Sequence, residues 1–195
     1  MSTAFPLRRP GRLLAACFVG LTLTGCAVEL QKTDIVRPIE SKLTAYHSVE
    51  IPVPTGQKET PTRISTDLHD KMLFQVAVLG KFRRVSQDVK SDQQVLVMKA
   101  KIVKVDEGSA FLRWWSSVAE LGGAMYESYA KKKLGMVSGS IGDGFLIVEV
   151  KFVDKRSNEE LGHITIKALS DDPESFRSAE DRIVDSLIKY VKTQL

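Results

Sequence analysis

Two cysteines in 195 residues leave no disulfide framework, and 7% aromatics with 13 Gly and 7 Pro exclude collagenous and low-complexity chains. No apolar run reaches the ~20 residues that a membrane-spanning helix needs. The chain also lacks a Gly-x-Ser-x-Gly elbow, a Ser-x-x-Lys at a helix start, and a Gly-Lys-Ser/Thr phosphate loop. Its glycine-rich stretch, Gly135 to Gly144, leads into a strand pattern, whereas a phosphate cradle needs a helix N-terminus. His47, His69 and His163 show no metal-ligand spacing, although His47 and His163 fall on predicted strands that could bring them together. Asp67, Asp70, Asp171, Asp172, Glu159 and Glu160 read as solvated or capping carboxylates. With no nucleophile and base in view, the expectation is a protein that is not an enzyme and carries no cofactor or metal.

Basic character is scarce too, despite a net charge of +4 and a pI near 9.0. Arg8, Arg9 and Arg12 lie in the first 25 residues, which hold no acid, so the rest of the chain is nearly balanced. The charge gives no argument for nucleic acid. It belongs to a leader: the arginines precede an apolar run from Leu13 to Leu23, and small residues then lead to Cys26, the order of a secretory signal peptide over 1–25. Leu23-Thr24-Gly25-Cys26 resembles the lipobox of bacterial lipoproteins. That resemblance implies cleavage before Cys26 and a lipid, palmitate included, on Cys26 as a membrane anchor. Ala27 in the next position, by the same resemblance, implies the periplasmic face of the outer membrane. Cys17 leaves with the leader, so the mature domain has neither free thiol nor disulfide and depends on an ordinary apolar core.

After Cys26, residues 26–42 have mixed polarity and no period, which predicts a lipidated tether, and 43–195 read as one periplasmic domain. Thr44 to Val53 alternates, predicting a first strand with Ala45, His47, Val49 and Ile51 on one face. Ile64, Leu68, Met72, Val76 and Leu79 form a helical stripe that Gly80 is placed to end. Phe82 to Val85 is a short strand candidate. Gln94 to Asp106 is a long one, with Leu96, Met98, Ala100 and Ile102 on one face and a bulge expected after Ile102. Phe145 to Asp154 and Leu161 to Ala168 alternate around the polar turn Lys155-Arg156-Ser157-Asn158, a hairpin signature. Asp172-Pro173 predicts a helix start, and Phe176, Ala179, Ile183, Leu187, Tyr190 and Val191 a stripe running to the end of the chain. The fold class expected is α+β: a two-layer sandwich of a mixed or antiparallel sheet with two amphipathic helices on one face. The other face, with Lys99, Lys101, Glu149 and Lys151, is left for solvent or a partner.

An irregular or helical insertion at 109–143 interrupts the pattern. Trp114, Val118, Leu121, Met125 and Tyr129 recur at three and four, so one apolar helical seam is available, weakened by Gly122 and Gly123. Arg113, Trp114 and Trp115 at one end and Lys131 to Lys133 at the other suit a membrane surface or a neighbouring protein, and a core-covering helix is the bland alternative.

Ile35-Val36-Arg37-Pro38 leading into Tyr46 to Ile51, Gly80 to Val85 after a helix, and Gly142-Asp143-Gly144 opening a strand that ends Val153-Asp154 and turns to Leu161 together resemble an uncharacterised family of bacterial lipoproteins, known as a domain of unknown function. More distantly, the strand and helix order resembles the periplasmic domain of the curli secretion lipoprotein and the N-terminal domain of the periplasmic Tol protein. The expectation is an outer-membrane lipoprotein that acts as a binding or adaptor module for an envelope protein partner, through the exposed sheet face or Arg113 to Lys133. A subunit of an oligomeric secretion or transport assembly is the alternative. Two regular alternating hairpins, which a barrel-forming subunit needs, are missing.

Overall fold

The computed structural model describes residues 30–40, 42–57, 60–90, 94–106, 144–170 and 176–195. The leader with Leu23, Thr24, Gly25 and Cys26, the insertion residues Arg113 to Tyr129, and Asp171 to Glu174 all lie outside them.

Three long strands make the centre: β4 (Val95–Asp106), β5 (Gly144–Asp154) and β6 (Glu160–Ser170). In the middle of each, buried apolar residues alternate with more open ones, and the strands pair antiparallel. Leu96, Met98, Ala100 and Ile102 stand beside Leu146, Val148, Val150 and Phe152, and next to Ile164, Ile166 and Ala168, all at most 5% exposed. The expected bulge is present: the register shifts between Ile102 and Lys104, and Val105 rejoins the inner face. The hairpin turn is also as expected. The Asp154 carboxylate accepts the N–H groups of Arg156 and Ser157, and Asn158 adopts the left-handed region at φ 56.

Two short strands, β2 (Ser48–Glu50) and β3 (Arg84–Ser86), run parallel to each other, and β2 runs parallel to β4. Between them α1 (Thr62–Val78) makes the crossover, and Gly80 at φ 63 turns the chain out of it. The final helix, α2 (Arg177–Gln194), runs to the chain end. Both helices lie on one face of the mixed sheet, so the α+β two-layer expectation holds. Ile64, Leu68, Met72 and Val76 of α1 and Ala179, Ile183, Leu187 and Val191 of α2 close a single core with the inner sheet face. Each large side chain so buried contributes about 1.5–3 kcal/mol before entropy is set against it.

Four local expectations need correction. Residues 31–37, expected in the tether, form strand β1 (Gln31–Arg37), antiparallel to β6, so the order across the sheet is β1-β6-β5-β4-β2-β3. Apolar alternation is weak in β1 because it is an edge held by long-range pairing rather than by its own burial. Within 44–53 only Ser48–Glu50 is strand; Leu43–Ala45 is a 3-10 turn, and Tyr46 turns inward while Ala45 and His47 are exposed. The third strand sits at Arg84–Ser86, shifted along from 82–85, because Phe82 leaves the ladder for the core. Lastly, α2 is capped by Phe176 rather than Asp172. Phe176 is buried with φ 55, a left-handed conformation outside the helical region, and α2 begins at the next residue, Arg177.

Candidate functional site

The helices cover one sheet face, and the side chains of the opposite face form rows across four strands. The end row is Leu30, Leu169, Phe145 and Asp106. Next come Lys32, Lys167, Ile147 and Lys104; then Asp34, Thr165, Glu149 and Lys101; then His163, Lys151 and Lys99, with Arg37 at the edge. Strand alternation puts every second residue of β4, β5 and β6 here, as the lysines and Glu149 had suggested. Asp34 bridges Lys167 at 3.0 Å and Lys32 at 3.3 Å, and Glu160 meets Lys151 at 2.8 Å. Those lysines hold the Asp34 and Glu160 carboxyls below their usual range, the bond from Lys167 and that from Lys151 being the largest cause in each case. Lys99 and Lys101 are exposed and have no ion pair among the described residues. The face thus sets seven cations against the carboxylates Asp34, Asp106, Glu149 and Glu160.

His163 lies in this face, its Nδ1 4.0 Å from Glu160 and its buried Nε2 without a hydrogen-bond partner among the described residues. The idea that His47 and His163 become neighbours is overturned: His163 is on β6, His47 precedes β2, and β5 and β4 stand between. His69 is structural. Its Nε2 lies 3.0 Å from the Ile51 carbonyl and its Nδ1 3.1 Å from Asp70, which ties α1 to the chain leaving β2.

Two grooves flank the helices. One, of about 490 Å³, runs between β1 and α2 and is lined by Gln31, Thr33, Ile35, Ser186, Lys189 and Tyr190. The outer edge of β1 carries Ile35 and Val36, 56% and 60% exposed. The other, of about 300 Å³, lies between the helices at Lys71, Phe74, Gln75, Asp181 and Asp185. Beneath it Glu180 is fully buried, with one oxygen 2.9 Å from Lys71 Nζ and the other unpartnered among the described residues. Burial pushes the Glu180 carboxyl upward against the pull of Lys71. Burial works to lower Lys71, but its bonds to Asp181 and Glu180 prevail and raise it. Sequence reading passed over Glu180. The signal was there, since it falls four residues after Phe176 and four before Val184, inside the apolar stripe.

At the far turn, the Tyr46 hydroxyl donates to Asp154 at 2.9 Å, and burial together with that carboxylate pushes the phenol up to about 12. Asp154 is in turn lowered, chiefly by the Ser157 N–H. Lys155 joins Glu50 and the Val89 carbonyl, pinning the turn to β2. These contacts hold loops together.

No protein-family model and no curated protein matches the sequence. Among solved structures, the chain is similar to the PelC dodecamer from Paraburkholderia phytofirmans, with 10% identity, TM-score 0.48, and 84% of this chain and 95% of that chain covered. It is also similar to a Xanthomonas campestris protein of the domain-of-unknown-function family DUF330, with 10% identity, TM-score 0.47, and 81% and 94% covered. At such scores the likeness says nothing of what this chain binds.

Proposed function

We propose that this protein is a lipid-anchored binding module of the bacterial envelope, fixed through Cys26 to the periplasmic face of the outer membrane, which captures a protein partner on the bare face of its sheet and performs no catalysis. The observation that carries this reading is the bare face itself. Among the described residues no second layer covers this sheet face, and its excess of cations, with Lys99 and Lys101 exposed and unpaired among those residues, favours a partner with an acidic surface. The anchor supports it by raising the effective concentration of the domain for anything else held at the membrane. The partner reading predicts a simple result. A photo-crosslinker at Thr165 captures the partner in intact cells, and Lys99→Glu with Lys101→Glu abolishes the capture while the protein stays folded and membrane-bound. Capture that survives the double reversal, or that occurs from Gln75 in the helix groove and not from Thr165, contradicts it.

A second reading, a subunit of an oligomeric assembly, is favoured by the β1 edge. Its seven residues have no outer partner strand among the described residues and expose Ile35 and Val36, and such an edge invites another strand. Light scattering on the detergent-extracted protein separates the two, since a monomer counts against the assembly.

A further inference from the structure

Strand β1 is the longer open edge of the sheet, and its pairing with β6 shows which of its backbone groups are free. The Leu169 N–H donates to the Leu30 carbonyl, so Leu30 turns its groups toward β6. In an antiparallel ladder alternate residues turn both N–H and C=O to the same side, which sends those of Lys32 and Asp34 to β6 as well. Gln31, Thr33 and Ile35 therefore aim theirs outward, where no described strand meets them. The ladder is regular from Gln31 through Ile35, and the bulge comes only after it. Thr33 is the midpoint of that regular run.

A second copy of the chain can take this edge in one register that satisfies backbone and charge together. With a twofold axis through Thr33, perpendicular to the sheet, Thr33 opposes Thr33 of the other copy, Gln31 opposes Ile35, and Lys32 opposes Asp34. Every outward N–H and C=O of Gln31, Thr33 and Ile35 then finds a mate. Opposite charges meet on the outer face, Lys32 of each copy against Asp34 of the other. An axis through Lys32 or through Asp34 would instead set like charges directly opposite, and would run the regular residues past the strand end or against the bulge. The other cations nearby are accommodated: Lys167 stays on Asp34 of its own copy, Lys189 is exposed on α2, and Arg37 lies beyond the bulge. On the helix side, the groove lined by Gln31, Thr33 and Ile35 gives Ile35 of the second copy space beside Gln31. Ile35, 56% exposed in the single chain, loses water there. The opposite edge, β3, offers only Arg84–Ser86, so β1 matches itself over a longer run than it matches β3.

We propose that β1 joins β1 of a second copy, antiparallel about Thr33, so that two domains share one continuous sheet. This rests on the second reading above and narrows it, because a twofold joint uses up the β1 edge and closes at two copies instead of growing into a ring. The bare faces of the two copies lie on the same side of the joined sheet.

The test uses the native chain extracted in detergent, as a mixture of heavy-isotope-labelled and unlabelled protein. A carbodiimide joins a lysine to a carboxylate in contact with it. Light scattering is expected to give a dimer, and peptide mass spectrometry to find Lys32 of one isotope joined to Asp34 of the other. Lys32→Glu and Asp34→Lys should each weaken the dimer about tenfold, since both opposed pairs become like charges. Mixing the two variants should restore it, because the mixed pair again sets opposite charges on both sides of the axis. Thr33→Pro removes an outward N–H without touching the ladder to β6 and should give a monomer. A monomer in the unaltered protein overturns the joint and the second reading together. An oligomer without the mixed-isotope link from Lys32 to Asp34 overturns the joint and leaves that reading standing. Charge variants that keep the unaltered affinity, or that stay monomeric when mixed, overturn the register.

Discussion

The two faces of the sheet use the same strands for opposite ends. On the inner face Ile164, Ile166 and Ala168 of β6 are fully buried under α2, while His163, Thr165 and Lys167 between them meet charged neighbours on β1 and β5. A step of one residue along the chain changes the job of the side chain. The inner face supplies most of the free energy that folds the domain, and the middle of the outer face, between the buried pairs Phe145 and Leu169 at one end and Val97 and Val153 at the other, is free to carry chemistry that folding does not need.

That contrast is open to a direct attack at adjacent positions. Ile166→Ala is expected to cost about 2–5 kcal/mol in urea unfolding, because it leaves a cavity under α2. Thr165→Ala should stay within about 0.5 kcal/mol. Comparable losses at the two positions would mean that the outer face is as structural as the inner one. Gly162→Val comes next. A Cβ at Gly162 would collide with the Ile39 side chain, which packs where the chain leaves β1, so the variant is expected to lose about 1–3 kcal/mol. Loss of hydrogen-exchange protection should concentrate in β1 if that strand is held mainly by β6.

The smallest effect concerns the carboxylate buried beneath the helices. Glu180 titrates near 4.5 when unfolded and higher when folded, so the stability it contributes is fully present below 4.5 and is lost as pH rises through the folded value. Asp34, Asp154 and Glu160 act oppositely. Their lowered folded values give stability that is present above 3.8, 3.8 and 4.5 respectively and is lost as pH falls through those folded values. Glu180→Gln, compared with the unaltered protein, is therefore expected to gain in urea midpoint near neutrality relative to its standing below pH 4.5. Parallel pH profiles for the two proteins would show that Glu180 carries no such linkage.

The inner face was legible in the sequence and the edges were not, for a physical reason. A central strand writes its burial into strict alternation, as Leu146, Val148, Val150 and Phe152 do, and a helix writes it into a stripe such as Leu68, Met72 and Val76. Strand β1 has no such record: among the described residues Gln31 to Arg37 pairs with β6 alone, and its regular feature is backbone hydrogen bonding to residues far along the chain. Strands β2 and β3, three residues each, are too short for a period to show. The outer face was legible as a row of lysines, yet Asp34, which pairs with Lys167 and Lys32, came from the segment taken for tether. Correcting that segment also shortens the distance between anchor and domain. The edge strand β1 is the element that the proposed lipid would hold.

The account depends on that lipid, and intact mass spectrometry of the native protein extracted from membranes tests it most directly. The expected species begins at Cys26 and carries the mass of its acyl chains. A polypeptide that retains residues 1–25, or one that begins at Cys26 with a bare sulfur and amino group, would contradict it.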